Sequence, residues 1–508
     1  MRLTLVAAGL LSGLLLHLAL PPGPAPWLGW LALVPLLLAL EWRRPDGRRA
    51  GLWLALPFGL LFGILSFRWM LFLDPAADVT VPGIMIPATL LWCLYLCLYP
   101  WLFVRLMVGA RRRLGGEAFL AAPFLWTLLE WLRGSGTLAF SWIHISQTQA
   151  APGGYLAPAG WVGGLGLGFL MVLAQASLAA LVAGRRRRLA GATLAATAAV
   201  LALGALPGHR ESERVLNVAA LQGNVALADK WASHYRMENL RVFRELSREA
   251  VDRGAGLIVW PETAFPVNLL WDRQAEQALR QAARRLDTEI LTGFQGLAPA
   301  PGGSYAYRNS AGLVGANGAL EGAYSKVHLL PFGEEIPLAD LLAPGLEIDL
   351  GQSNFTPGPG PRVLDGRRCR LAVFICYEMG FARTVREAAG AGAELLVNIT
   401  NDGWFGHPVA MELHAALSPM RAAENGVPVV RCGNSGVTAL YDARGRELAR
   451  LPTNTRDLLT GGLHLPARAS FYARHGGWAL PLATLLYGAM LVWRLSVAIS
   501  RKGSAAAR

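Results

Sequence analysis

Charge is what this chain has least of. Only 16% of its 508 residues are Asp, Glu, Lys or Arg. Soluble domains carry about 25%, so the deficit excludes a chain solvated throughout. Acid is scarcer than base, 34 residues against 47, which leaves a formal net charge of +13. Much of that excess lies in short Arg clusters between apolar runs. Membrane topology accounts for such clusters, and no nucleic-acid partner is expected. Cysteine is sparse as well: Cys93, Cys97, Cys369, Cys376 and Cys432. The first two sit in an apolar run and read as buried, inert thiols. The other three neither pair evenly nor show CxxC or His spacing. This argues against a disulfide framework and a metal site, and leaves room for one functional thiol. No cofactor is expected.

Apolar sequence is abundant, at 53% of residues, and it crowds into the first 206 residues and a stretch near the C-terminus. A membrane-spanning helix needs about 20 apolar residues. Candidate runs are 3–20, 27–40, 51–73, 81–107, 118–132, 161–183 and 189–206, with an eighth at 478–499. Runs 27–40 and 118–132 are short, and the second contains Glu130. Run 3–20 is read as a retained helix, because no small-x-small cleavage site precedes the prolines that follow it.

The basic clusters test this count. They are Arg43, Arg44, Arg48 and Arg49; Arg111, Arg112 and Arg113; Arg185, Arg186, Arg187 and Arg188; and the tail residues Arg501, Lys502 and Arg508. If every run spans, all of these fall on one side, which the positive-inside rule makes the cytoplasm. Loops 74–80 and 134–160 carry almost no base. The expected layout is therefore a bundle of seven helices at 1–206, a domain outside the cytoplasm at 207–475, and a C-terminal helix with a cytoplasmic tail at 476–508.

From residue 215 the texture changes. Short apolar runs at 215–221, 256–260, 289–294, 307–314, 371–375, 395–400, 427–432 and 437–441 read as strands. Segments 232–252, 272–286, 382–391 and 410–425 read as helices. The alternation predicts an α/β sandwich.

Three residues each place a reactive group just past a strand end, where α/β sheets tend to keep their ligand-binding and catalytic groups. Glu262 follows Trp260-Pro261 and precedes Ala264-Phe265. A carboxylate there is poorly hydrated, as a general base near neutrality needs to be; the plain alternative is a loop glutamate capping a helix. Lys326 opens a mostly apolar segment containing Glu334. A fixed ammonium there can stabilise an oxyanion, although a lone lysine more often snorkels at a surface. Cys376 ends an apolar strand shortly before a helix. That turn can favour a thiolate; the alternative is an inert buried thiol.

Jointly the three are far more specific. Glu262, Lys326 and Cys376, in that order and each behind a strand, resemble the triad of the nitrilase, or carbon–nitrogen hydrolase, superfamily. The flanking strings Trp260-Pro261-Glu262, Lys326-x-His328-x-x-Pro331-Phe332-Gly333-Glu334 and Cys376-Tyr377-Glu378 strengthen the likeness over about 215–465. Most such proteins are soluble. The spans on either side, with Gln222-Gly223-Asn224, Asn401-Asp402-Gly403-Trp404-Phe405-Gly406 and Glu130-Trp131-Leu132-Arg133, are similar to the bacterial apolipoprotein N-acyltransferase family.

That resemblance implies an α-helical membrane bundle of about eight spans carrying an α-β-β-α sandwich on the periplasmic face of the inner membrane. It implies ping-pong acyl transfer. Cys376 takes a fatty acyl chain from a phospholipid, with phosphatidylethanolamine the expected donor, and passes it to the α-amino group of the diacylglyceryl-modified N-terminal cysteine of an apolipoprotein. Glu262 serves as base and Lys326 as oxyanion partner, while Glu334, Tyr377, Glu378 and Trp231 support the site or place substrate. The alternative is a membrane-tethered amidase or nitrilase acting on a small amide. His328, Cys432, Asp402 and His407 are expected to be structural. Glu130 is expected to pair with Arg133 at the membrane interface.

Overall fold

The structure is a computed structural model. It describes residues 2–73, 83, 85–206, 208–226, 236–264, 273–299, 305–331, 333–335, 355–478, 480–485, 487–489 and 492. Trp231, half of run 478–499 and the whole of the basic tail lie outside the described residues.

The N-terminal half is helical. Its elements are α1 (Arg2–Ala19), α2 (Val34–Arg43), the stretch α3 (Gly47–Phe72), α4 (Met85–Leu114), α5 (Ala122–Arg133), α6 (Ala159–Val182) and α7 (Arg187–Gly204). Among the described residues, four helical stretches are long and apolar enough to cross a membrane: Arg2–Ala19, Gly47–Phe72, Met85–Arg133 and Ala159–Val182. The two short runs differ from simple spans for visible reasons. Run 27–40 breaks into a 3-10 turn, Pro26–Trp30, and the ten-residue α2, each with a proline at its first or second position. Run 118–132 becomes a 3-10 turn and the 12-residue α5.

The helices pack through small residues, the usual device where lipid supplies no hydrophobic drive. Gly59 and Gly63 of α3 lie against Cys97 and Cys93 of α4, and a Cβ on Gly59 would come within 2.7 Å of the Cys97 sulfur. This explains the two inert thiols. Leu90, Leu91, Leu94 and Leu98 on the far side of α4 stay exposed, an apolar stripe of the kind that marks a membrane-facing surface.

The second half is built on two six-stranded sheets. One has the order β12-β1-β2-β3-β4-β5 and the other β11-β10-β9-β8-β7-β6. The strands are β1 (Arg210–Gln222), β2 (Leu257–Val259), β3 (Glu289–Pro299), β4 (Tyr305–Val314), β5 (Leu320–Ser325), β6 (Val363–Asp365), β7 (Arg370–Ile375), β8 (Leu395–Thr400), β9 (Val429–Gly433), β10 (Ala439–Tyr441), β11 (Glu447–Arg450) and β12 (Asp457–Arg468). The centres of both sheets are parallel: β1/β2/β3 in one and β7/β8/β9 in the other. Buried on both faces, these strands are near-continuous apolar runs.

Side-chain alternation sorts the layers. Val218, Ala220, Val259, Val373, Ile375, Val397 and Ile399 interleave between the sheets. Ala219, Leu221, Ile258 and Ile290 face outward and are covered by α8 (Arg236–Asp252) and α9 (Arg273–Leu286). Ala372, Phe374 and Leu396 face the opposite way, beneath α10 (Ala382–Gly390) and α12 (Leu417–Asn425), the latter preceded by α11 (Pro408–Ala415). The architecture is thus an α-β-β-α sandwich, as the resemblance implied. Every residue of α12 is buried, because its outer face lies on α6 of the bundle. There Glu424 Oε1 accepts the Gly164 N–H at 2.5 Å. One continuous apolar cluster runs from the membrane helices into this layer.

Candidate active site

The parallel strands β2, β7 and β8 end on the same side of the sandwich, and the candidate groups emerge there. After β2 the chain runs through Trp260, which is fully buried, stacks on Phe243 and donates its indole N–H to Ser247 at 3.0 Å. Anchoring Trp260 fixes the turn that carries Glu262. Thr263 takes a left-handed φ of 49°. The turn passes so close to β3 that a Cβ on Gly293 would lie 2.8 Å from the Glu262 Cα. Glu262 is 6% exposed. Its Oε1 accepts from the Asn309 amide at 2.7 Å, and its Oε2 accepts the Asn401 backbone N–H at 2.8 Å.

Lys326 follows β5 directly and is 1% exposed. Its N–H donates to the Asn309 carbonyl, and its own carbonyl accepts the Gly358 N–H. The ammonium lies 2.7 Å from Glu334 Oε2, while Glu334 Oε1 accepts from the Asn309 amide at 3.0 Å. Asn309 therefore links Glu262 to Glu334, and through Glu334 to Lys326. Burial alone would push Lys326 down, but the negative charges of Glu334 and Glu262 hold it above its ordinary value. It stays a cation at any physiological pH.

Cys376 follows β7 and opens a short 3-10 turn, Cys376–Gly380. Its φ is +53°, a left-handed conformation that costs a non-glycine residue on the order of 1 kcal/mol or more. The turn aims the side chain out of the sheet, and Cys376 is the one cysteine of the five that is not fully buried. The turn could favour a thiolate, but its surroundings here favour the thiol. Burial raises the thiol well above its ordinary value, the Glu262 charge raises it further, and Lys326 only partly opposes them. The charges of both Glu262 and Lys326 reach the thiol.

Glu378 clasps the two segments together. Its side chain is 0% exposed. Oε1 accepts from the Tyr324 hydroxyl, Val327 N–H and His328 N–H at 2.7, 2.7 and 3.1 Å, and Oε2 accepts the Ile375 N–H at 2.8 Å. One carboxylate thus ties the Lys326 strand to the Cys376 turn. Tyr377 points the other way: its hydroxyl donates to the Ala139 carbonyl in the loop between α5 and α6. Beside it, Ser141 donates to the Gly380 carbonyl at 2.6 Å, and Trp142 packs near Tyr377. The same loop is held from the bundle, where Glu130 accepts the Ile145 N–H at 2.6 Å and Arg133 donates to the Ile143 carbonyl at 3.0 Å. Glu130 and Arg133 lie 3.6 Å apart, both buried. The pair serves the loop as well as itself.

The structure thus brings Glu262, Lys326, Cys376, Glu334 and Glu378 together, with Tyr377 at the margin. Sequence reasoning missed Asn309, although a polar residue inside an apolar strand was the available signal. The residues expected to be structural have plain partners. His328 stacks on Phe381 with centroids 3.7 Å apart and meets the Thr384 hydroxyl at 2.8 Å. Cys432 lies 3.3 Å from two backbone carbonyls and is pushed up by burial. His407 accepts the Val409 N–H at the start of α11.

Comparison with known proteins agrees with this layout. The carbon-nitrogen hydrolase family model matches residues 217–472, and the model of the apolipoprotein N-acyltransferase N-terminal domain matches residues 12–177. An apolipoprotein N-acyltransferase of Geobacter metallireducens is 32% identical over 505 residues, covering 96% of this chain and 95% of the relative. Those of Methylococcus capsulatus (32% identical, 97% of each chain) and Azotobacter vinelandii (33%, 94% of this chain and 93% of the relative) are similarly alike. Among solved structures, a mutant amidase of the nitrilase superfamily from Nesterenkonia AN1 shares 20% identity at a TM-score of 0.39, over 51% of this chain and 93% of its own. With both halves matched and relatives aligned over nearly its whole length, the chain belongs to the apolipoprotein N-acyltransferase family.

Proposed function

We propose that this chain transfers a fatty acyl group from a phospholipid, phosphatidylethanolamine in the first instance, to the α-amino group of the diacylglyceryl-modified N-terminal cysteine of apolipoproteins. The observation that carries the reading is the Cys376 turn. It presents a protonated thiol within the fields of Glu262 and Lys326, and hydrogen bonds from Tyr377 and Ser141 fasten it to the membrane half.

In the first half-reaction Glu262 takes the thiol proton as the Cys376 sulfur attacks the ester carbonyl of the lipid. The Lys326 ammonium stabilises the tetrahedral oxyanion. Collapse expels the lysophospholipid alkoxide, which takes the proton back from Glu262 and leaves a thioester on Cys376. In the second half-reaction the acceptor amine attacks that thioester and gives its proton to Glu262. The amide forms, and the departing thiolate is reprotonated. A covalent intermediate lets two bulky lipid-anchored substrates use one site in turn. Glu334 and Glu378 hold the charged groups in place, Tyr377 fixes the turn, and Trp231 serves substrate placement.

Topology fits this chemistry. About eight spans, with 1–206 and 476–508 in the inner membrane and 207–475 on the periplasmic side, keep the acyl chains in the bilayer and the thiol at its surface. The match of residues 12–177 to the membrane half of the family supports a lipid substrate over a small amide. Intact-mass analysis of the protein incubated with phosphatidylethanolamine tests the reading. The expected result is a fatty-acyl increment on Cys376 that is lost on adding a diacylglyceryl-cysteine peptide and absent in Cys376→Ala. No increment in the wild-type protein would reject it.

A further inference from the structure

Behind the Cys376 turn lies a buried polar cluster that the acyl-transfer steps do not use. Asp402 Oδ1 accepts from the Thr400 hydroxyl at 2.9 Å and lies 2.8 Å from His414 Nδ1. Asp402 Oδ2 accepts from an Arg431 Nη at 2.8 Å. The other Nη of Arg431 donates to Asn398 Oδ1. Asn398 Nδ2 then donates to the backbone carbonyls of Phe374 at 3.0 Å and Cys376 at 3.3 Å. Asn398, Asp402, His414 and Arg431 are each 0% exposed.

Such a cluster is a poor way to gain stability, since apolar residues of similar volume in the same core usually do as well or better. Its placement is more telling. One line runs through Asn398 to the carbonyl of the residue whose φ is +53°. A strained turn persists only where its surroundings over-determine it. A second line runs along the backbone, because the residue preceding Asp402 is Asn401, whose N–H holds Glu262 Oε2. The same buried ion pair therefore braces both the thiol-bearing turn and the carboxylate that takes its proton. His414 closes the cluster on the bundle side, stacked on Trp142 with ring centroids 4.8 Å apart.

We propose that Asp402, Arg431 and Asn398 form a positioning relay that holds the Cys376 turn in its left-handed conformation and the Glu262 carboxylate in register with it. The three do not touch substrate; they act through Cys376 and Asn401. The proposal rests on the acyl-transfer reading of the site.

The test uses the full chain in detergent, with thermal unfolding followed by tryptophan fluorescence as the check on folding. Asn398→Asp keeps an acceptor for Arg431 but loses the donor to the Cys376 carbonyl. Arg431→Lys keeps the charge without the two-pronged reach, and Arg431→Met loses both. Thioester formation from phosphatidylethanolamine is read by intact mass per Cys376 that iodoacetamide can titrate. Asn398→Asp is expected to slow the maximal rate by about tenfold or more, as small misplacements of reacting groups do, with the apparent KM within about twofold. Arg431→Lys is expected to retain more rate than Arg431→Met. If Asn398→Asp does not fold, Asn398→Ser carries the same comparison. A wild-type rate per titratable Cys376 in the folded Asn398 variant, or a loss confined to KM, overturns the relay while leaving the acyl-transfer reading intact. Wild-type protein that titrates with iodoacetamide yet forms no thioester overturns that reading and the relay with it.

Discussion

Asn309 donates to Glu262 at 2.7 Å and to Glu334 at 3.0 Å, so one side-chain amide separates a buried carboxylate from a partly buried one. The side-chain oxygen, Oδ1, has no hydrogen-bond partner among the described residues, so the side chain acts here only as a donor. Removing the amide leaves two negative charges facing each other with less between them. Asn309→Ala is expected to slow thioester formation by about tenfold to a hundredfold, and Asn309→Asp, which adds a third carboxylate, by more. Intact-mass time courses decide the matter. An Asn309→Asp protein as fast as wild type would mean that the amide is not needed.

The Lys326–Glu334 pair invites a double-variant test. Lys326 is essentially inaccessible and Glu334 nearly so. Breaking a buried pair by removing one partner costs about 3–5 kcal/mol, because it strands the other charge. Lys326→Met should therefore lower both stability and activity. Lys326→Met combined with Glu334→Gln should recover much of the stability by removing the stranded charge. Activity should stay down by about a hundredfold or more if Lys326 serves the oxyanion as proposed. Recovery of activity together with stability would assign Lys326 a structural role only.

Much of this site was legible in the sequence. Glu262, Lys326 and Cys376 sit behind strands β2, β5 and β7, and two of those strands were plain apolar runs. β5, β6 and β11 were not, because these outer strands are only partly buried and carry polar residues that blur the period-2 pattern. The unbroken helix expected over 410–425 is really α11 and α12, since a sequence on which almost every side chain is buried has no polar face to mark the break. Asn309 escaped for a related reason: its role is defined by partners 47 and 25 residues away. At Cys376 the sequence shows the turn but not the depth at which the fold seats it, so the rise of the thiol above its ordinary value was not legible there.

That depth has a consequence for pH. The thiol lies above its ordinary value of 9.0, first because of burial and then because of the Glu262 charge. At pH 7 the thiolate is then less than about one part in a hundred. Alkylation of Cys376 by uncharged iodoacetamide should keep rising as pH increases through about 9, without levelling off near neutrality. Glu262→Gln removes a charge that disfavours the thiolate, so its alkylation curve should shift toward lower pH even as acyl transfer fails. A plateau near pH 7 in the wild-type protein would contradict the protonated resting state.

The attachment of the Cys376 turn to the membrane half can be tested by exchanging bulk across it. Ser141 donates to the Gly380 carbonyl at 2.6 Å, and a Cβ placed on Gly380 would lie 2.9 Å from the Ser141 oxygen. Real Cβ atoms essentially never come that close, so in Gly380→Ala either the Ser141 hydroxyl rotates away and gives up the Gly380 carbonyl, or the loop and the turn move apart. Gly380 has no positive φ, and the substitution therefore strains contacts rather than backbone. Thioester formation in Gly380→Ala should fall by about threefold to tenfold, as expected for a small displacement of a reacting group. Adding Ser141→Gly removes the obstructing oxygen and should restore the rate to within about twofold of Ser141→Gly alone. That reference matters because Ser141→Gly gives up its own hydrogen bond, worth about 1 kcal/mol. Rescue of this kind places the two residues in contact in the working enzyme. If the double variant is no faster than Gly380→Ala, the fault lies within the turn itself, and the membrane loop does not set the position of Cys376.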